Sequence, residues 1–308
     1  MDLFHAIIAA LSAVFFLLGT PQNVLAFSYF ARNTHHRLAN KMYAMISCVD
    51  AVLCFLMLQV FVLVASGYKL TATSLPCVLF SWSWNILSRF SIFTYCILTV
   101  SRVVSLYWPF RRLSQRVIVG VLGTEILYLV LFECSAEFRK EKIYVYDGYG
   151  VCDWTVKSVI GANYVAYTYQ LFYSSMYNLP MLVTITSSVM ALCIIRRNKT
   201  RFSELGGGEI YRRKQEAAKT VLVMVVVYVI CNVPYSILVI AVDDLKVYTG
   251  TSIKYYFSEE LFQLIRPCYS VALNATLNPL VYYARIRDYR RYVENYCYKV
   301  YILVLACL

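Results

Sequence analysis

The stretch from Cys77 to Phe110, CVLFSWSWNILSRFSIFTYCILTVSRVVSLYWPF, decides how the chain is read. Most residues between Cys77 and Arg102 are apolar. At about 1.5 Å of rise per residue they suffice for a helix across a roughly 30 Å hydrocarbon core. Cys77 stands at one end, and Ser101-Arg102-Val103 followed by Pro109 closes the other. Arg89, roughly 18 Å along from Cys77 by helical rise, is a charge at membrane depth. Such a charge needs a carboxylate or a water-filled cavity.

Composition agrees with a membrane reading. The 308 residues are 60% hydrophobic and 15% charged, with a mean hydropathy of +0.59, the profile of a polytopic membrane protein. The net charge of +12 raises the question of nucleic acid. The distribution answers it, because about twenty of the 29 Lys and Arg fall on one side of the helical segments, as the positive-inside rule expects of cytoplasmic loops. Nucleic acid is therefore not an expected partner. Eleven cysteines without CxxC or Cys/His spacing imply neither a zinc site nor a disulfide scaffold. With only His5, His35 and His36, and no HExxH, paired Asp or Ser/His arrangement, no enzyme is expected.

Working outward, the apolar runs predict an all-α chain with helices at about 5–30, 39–66, 75–107, 116–135, 164–197, 211–242 and 258–283, and a basic amphipathic helix at about 285–297. The chain reads as a single domain over residues 1–308. Arg32, Arg37 and Lys41 after the first run place its end in the cytoplasm and the N-terminus outside. Pro21, in Gly19-Thr20-Pro21-Gln22-Asn23, is expected to kink that first helix. Asp50 lies well inside the second. A carboxylate there must face the bundle, either as a protonated core residue or as a cation or proton site, with Ser91, Asn274 and Asn278 at matching depth. For Arg89 the expected partner is Glu125 in the fourth run, with Glu133 as the other carboxylate available. Asp147-Gly148, between runs rich in Tyr, Val and Ile, signals a β-hairpin in the long loop that carries Cys152. Pro234, in Cys231-Asn232-Val233-Pro234, is a candidate hinge. Cys297 beside apolar residues is a candidate palmitoylation site.

The ordered set Asn23, Asp50, Cys77, Arg102, Cys152, Pro180, Cys231, Pro234 and Asn278-Pro279-x-x-Tyr282 resembles that of the rhodopsin-like (class A) G-protein-coupled receptors over nearly the whole length. Tyr289 stands where that family places an aromatic at the start of its eighth helix. The resemblance implies a seven-transmembrane bundle in the plasma membrane, a Cys77–Cys152 disulfide tying a β-hairpin in the second extracellular loop to the third helix, and a sodium site at Asp50, Ser91, Asn274 and Asn278. It further implies coupling of an extracellular ligand to a heterotrimeric G protein, through a switch made of Arg102, Asn232, Pro234, Asn278, Pro279 and Tyr282.

Departures mark a divergent branch. Ser101 replaces the acid usual before Arg102, and the fourth helix lacks its usual Trp. Asn232 replaces the sixth-helix Trp, and Ser188 replaces a fifth-helix Tyr. The absence of Lys between Leu261 and Tyr283 argues against retinal, and Trp84, where amine receptors carry Asp, argues against a monoamine. The hairpin loop leans towards a peptide ligand. Trp84, Tyr235 and Arg266 are candidate pocket residues, each with plain packing or loop pairing as the other reading. The competing class is a secondary transporter or channel using Asp50, Arg89 and Glu125, which would leave the Cys77, Cys152 and Asn278-Pro279-x-x-Tyr282 pattern without explanation.

Overall fold

A computed structural model describes residues 3–33, 38–66, 75–108, 114–138, 163–197, 215–233 and 267–307. Every regular element among them is helical. Helix α1 is one rod in three parts, Leu3–Val14, a π-helical turn over Phe15–Gly19, and Thr20–Arg32. Then come α2 (Leu38–Ser66), α3 (Leu75–Tyr107), α4 (Gln115–Phe138), α5 (Asn163–Arg197), α6 (Gln215–Val233), α7 (Pro267–Arg285) and α8 (Arg287–Cys307). Among the described residues, Ala6–Arg32, Leu38–Val62, Trp82–Tyr107, Asn178–Arg197 and Gln215–Val233 are long and apolar enough to cross a bilayer. Helix α2 packs against α1, α3 and α7, and α3 against α4 and α5. Leu17, Leu18, Leu127, Leu131 and Ile230 point outward and exposed. Such a coat suits hydrocarbon, in which a helix must satisfy its own backbone and has no apolar surface to hide.

The expected kink at Pro21 takes another form. Proline lacks an N–H, and its ring crowds the carbonyl four residues back, here Leu17. The chain meets this by widening the preceding turn into a π-helix over Phe15–Gly19, after which Pro21 sits in the first turn of the next α-helical part. The helix therefore continues through Pro21 to Arg32. Gly19 closes the widened turn against α2 and α7. A Cβ at Gly19 would lie 2.7 Å from Thr276 Oγ1 and closer still to Cys54 Sγ. Only glycine fits so tight an approach.

Two apolar clusters fill the interior. One lies towards the Cys77 end, around Phe15, Leu53, Phe80, Trp84, Leu122 and Leu129. The other lies towards Arg102, around Phe30, Tyr43, Tyr95, Leu98, Met224, Tyr228, Tyr282 and Tyr289. Helix α8 starts where the amphipathic segment was expected but continues past Cys297 to Cys307. The expected hairpin around Asp147-Gly148 lies outside the described residues, as do Cys152, Pro234, Tyr235 and Arg266.

Candidate functional site

Three helices converge on Asp50. Its side chain is 1% exposed. Ser91 Oγ on α3 donates to Asp50 Oδ1 at 3.5 Å, and the Asn278 amide on α7 donates to Oδ2. Asn274, one helical turn before Asn278, is buried beside them. The sequence thus brings Asp50, Ser91 and Asn278 into one hydrogen-bonded group. The Oδ1 atoms of Asn274 and Asn278 are buried without a protein hydrogen-bond partner. Carboxylate, hydroxyl and amide oxygens are hard donors, so these residues fit a small monovalent cation. No three His, Cys, Asp or Glu side chains converge among the described residues, so a transition-metal centre finds no support there.

A proline explains the neighbouring bond. Pro279 cannot donate to the carbonyl of Ala275, four residues back. Asn23 Nδ2 from α1 supplies that donor instead, 2.9 Å from Ala275 O, while also bonding Gly19 O at 2.9 Å. Asn23 and Pro279, singled out separately in the sequence, are two halves of one device fastening α1 to α7.

Towards Arg102 the interior becomes aromatic. Phe30 lies 5.1 Å from Tyr43, 5.0 Å from Tyr282 and 5.7 Å from Tyr289, ring centre to ring centre. Tyr43 and Tyr282 are 5.3 Å apart, and Tyr29 joins Tyr289 and Tyr292 of α8 at 5.3 and 5.2 Å. Burial, and then the neighbouring Tyr292, push the Tyr289 phenol above its ordinary range, so it packs as a neutral ring. This cage fixes Tyr282 against α1, α2 and α8.

Arg102 is partly buried in a cleft between α3, α5 and α6 that Thr99, Ser188, Ile195 and Lys219 also line. Ser101 does not hold it, since its hydroxyl turns back to the Leu98 carbonyl at 2.7 Å. The group nearest in character to a latch is the Tyr43 phenol, with which Arg102 interacts across α2 and α3. Glu216 of α6 reaches Lys219 at 2.8 Å and Arg285 of α7 at 3.2 Å.

The remaining candidates separate. Trp84 is 4% exposed and stacks on Phe80 at 5.9 Å within the Cys77-end cluster. Asn232 is buried and donates to Tyr228 O at 2.9 Å on its own helix. Arg89 is buried on α3, within electrostatic range of Glu125 on α4. The Cys297 thiol is exposed and free on α8. The side chains of Cys77 and Glu133 lie outside the described residues. Sequence reasoning passed over Tyr43, Tyr95 and Phe30. The available signal was aromatic residues recurring in apolar helices at the depth of Tyr282.

Membrane-length helices gathered around a buried carboxylate, with an arginine at one mouth, are consistent with a seven-transmembrane bundle. The chain belongs to the rhodopsin family of seven-transmembrane receptors, whose family model matches residues 22–282. The chain is therefore a multi-pass membrane receptor of a signalling family, and the match gives no support to a transporter or channel. Compared with curated proteins one at a time, the chain matches none.

Proposed function

We propose that this receptor couples an extracellular ligand, of which a peptide is the class favoured, to a heterotrimeric G protein at the plasma membrane. The observation that carries this reading is Arg102 in the cleft between α3, α5 and α6. A side chain of permanent charge at the mouth of that cleft can meet acceptor groups of a partner once α6 swings aside. Pro234, directly after the last described turn of α6, is the proposed pivot, and Asn232, Asn278, Pro279 and Tyr282 the switch around it. A ligand drives the swing only in so far as it binds the open bundle better than the closed one. The Arg102 end is proposed to face the cytoplasm, which puts the N-terminus outside. Helix α8 would then lie on the inner leaflet as an eighth helix, held by Arg287 and Arg291 against anionic lipid and by acylation of Cys297, while Arg290 donates to the Tyr283 and Ala284 carbonyls at the end of α7. A Cys77–Cys152 disulfide remains the proposed tie of the second outer loop.

Sodium is the proposed resident of the Asp50 group, held by Asp50, Ser91, Asn274 and Asn278. Its charge would favour the arrangement in which these oxygens stay together, and with it the inactive bundle. The deciding experiment is G-protein dissociation in cells exposed to a pooled peptide and metabolite library, with Arg102→Ala as control. A response in wild type that disappears in Arg102→Ala at matched surface expression is expected. A ligand response that survives Arg102→Ala overturns the proposed role of Arg102.

A further inference from the structure

Helix α8 meets α1 and α7 through its first two turns. Tyr289 and Val293 pack into the Arg102-end cluster, Tyr292 lies against Tyr29, and Glu294 accepts from the Tyr283 hydroxyl. Further along, Tyr298, Tyr301 and Ile302 are 66%, 61% and 46% exposed. The first half of the helix has two sides. Arg287, Arg291 and Glu294 share one, and Tyr289, Val293 and Tyr296 the other. A helix returns to the same side after seven and eleven residues. The charged side therefore continues through Tyr298, Tyr301 and Ile302, where a helix lying flat at a membrane surface would still need polar groups. Lys299 is the last charge, and none occurs from Val300 to Leu308. Polarity thus falls along the axis of α8 instead of around it. Charges come first, then tyrosines at 296, 298 and 301, then the run ILVLA over 302–306.

A helix that is apolar on every side is stable inside protein or hydrocarbon, not along a plane of headgroups. The order along α8 is also the order met on a path into a leaflet: charged groups, an aromatic belt, then acyl chains. We propose that α8 leaves the membrane plane after Lys299, and that its last turns, from Val300 onward, dip among the acyl chains of the inner leaflet. Lipid is then what covers the exposed sides of this segment. Arg287, Arg291 and Lys299 draw anionic headgroups to the first half. The rings of Tyr296, Tyr298 and Tyr301 suit the boundary, because each joins an apolar body to a hydroxyl that can stay with the headgroups. The dipping end is an anchor made of the chain itself, separate from any acyl group on Cys297. This proposal rests on the placing of α8 at the inner leaflet and adds a departure from that plane.

The test is a spin-label scan of the full chain in nanodiscs of phosphatidylcholine and phosphatidylserine. p-Acetylphenylalanine is placed at one position at a time over residues 288–306 and labelled at its ketone, which leaves the native cysteines out of the reaction. Power saturation compares collisions with oxygen, which concentrates in hydrocarbon, and with a water-soluble nickel chelate. Over 288–295 the two are expected to alternate with the helical period. Over 300–306 oxygen is expected to dominate on every side, and label depth to increase by at least about 5 Å, one helical turn, between 296 and 306. A helical period that continues to 306 at constant depth overturns the inference and leaves α8 on the inner leaflet. Labels over 300–306 shielded from both reagents would mean that protein covers the segment, which overturns it as well. Nickel access on all sides from 288 to 306 removes the inner-leaflet placing itself, and the inference with it. Tyr298→Lys combined with Ile302→Lys supplies the missing charged side, and the helical period is then expected to run on to 306. Depth unchanged in that variant shows that the lost polar side is not what sends the helix down, and overturns the inference too.

Discussion

Around Phe80, Trp84, Leu122 and Leu129 the interior mixes aliphatic side chains with separate rings such as Phe15 and Phe90, and Phe80 and Trp84 form a stacked pair. Around Phe30, Tyr43, Tyr282 and Tyr289 it is ring set against ring, threaded by hydroxyls and amides. In lipid the two are held differently. No hydrophobic drive pulls apolar helices together in hydrocarbon, so the Cys77-end cluster relies on dispersion and on fit. Dispersion is indifferent to which apolar side chain supplies it, provided the volume is kept. The Arg102 end adds contacts with direction: ring edges on ring faces, an amide on an orphaned carbonyl, a carboxylate met from two helices. Such contacts fix geometry and tolerate few substitutions. The comparison teaches that apolar substitutions that keep volume should be tolerated better at the Cys77 end of the bundle than at the Arg102 end.

The strongest test lies where the two regions meet. Gly19 touches Cys54 and Thr276 too closely for any Cβ, whereas a Cβ at Gly120 or Gly123 of α4 would meet nothing within 4 Å. Gly19→Leu is expected to abolish surface expression, while Gly120→Leu and Gly123→Leu leave it near wild type. Surface immunostaining beside total expression reads the contrast. A Gly19→Leu receptor that reaches the surface normally would show that α1 can move away from α2 and α7 at little cost.

The next effect compares ring with ring. Phe30 contacts Tyr29, Tyr43, Tyr282 and Tyr289, while Phe80 stacks on Trp84. Aromatic pairs contribute about 0.5–1.5 kcal/mol each beyond area. Phe30→Leu is therefore expected to destabilise by about 1–3 kcal/mol more than Phe80→Leu, on the reasoning that pair terms do not fully add. Thermal unfolding of the two variants in one detergent measures this. Equal losses would remove the energetic distinction between the two clusters.

A smaller and sharper effect concerns the tie between α1 and α7. Asn23→Ala leaves the Ala275 carbonyl without its donor, at a cost of about 1–3 kcal/mol. Pro279→Ala restores a backbone N–H four residues on, so the carbonyl no longer depends on Asn23. The double variant should lose less than the two single losses combined, and a double-mutant cycle on thermal stability reads the coupling directly. Strict additivity would mean that Asn23 acts elsewhere.

How much of this is legible in the sequence follows from the range of each interaction. Helix positions and the meeting of Asp50, Ser91 and Asn278 are legible, because long apolar runs have few alternatives in lipid and a charge at depth must turn inward. Relief of Pro21 by a π-turn is not, because it depends on how near α2 and α7 come to Gly19. Trp84 is ambiguous in sequence between a membrane interface, a ligand contact and a core ring, and its stacking on Phe80 places it in the core. Tyr43 and Tyr95 are hidden among 28 tyrosines. A tyrosine in an apolar helix looks the same whether its hydroxyl reaches lipid headgroups or another helix. The partner of Glu216, 69 residues further on, follows from no local pattern.

The smallest effect expected is on that last contact. In the family the arginine of α3 is usually restrained by acids beside it and at the base of α6. Here Ser101 bonds its own helix, and Glu216 is turned to Lys219 and Arg285. The base of α6 is thus tied to the end of α7 instead of to Arg102. Glu216 and Arg285 are 55% and 33% exposed. An ion pair in that setting contributes about 0–1 kcal/mol and is screened by salt. If α6 must leave α7 for the cleft at Arg102 to open, Glu216→Gln raises ligand-free signalling by at most about fivefold, since 1.4 kcal/mol is tenfold. Arg285→Gln should do the same, and the double variant should add nothing further. Ser101→Asp, which gives Arg102 a carboxylate on its own helix, is expected to lower signalling in wild type and in Glu216→Gln alike. The measurement is basal G-protein activation at matched surface expression. Additive effects of Glu216→Gln and Arg285→Gln would show that the two side chains act separately, and the tie between α6 and α7 would then play no part in holding the cleft closed.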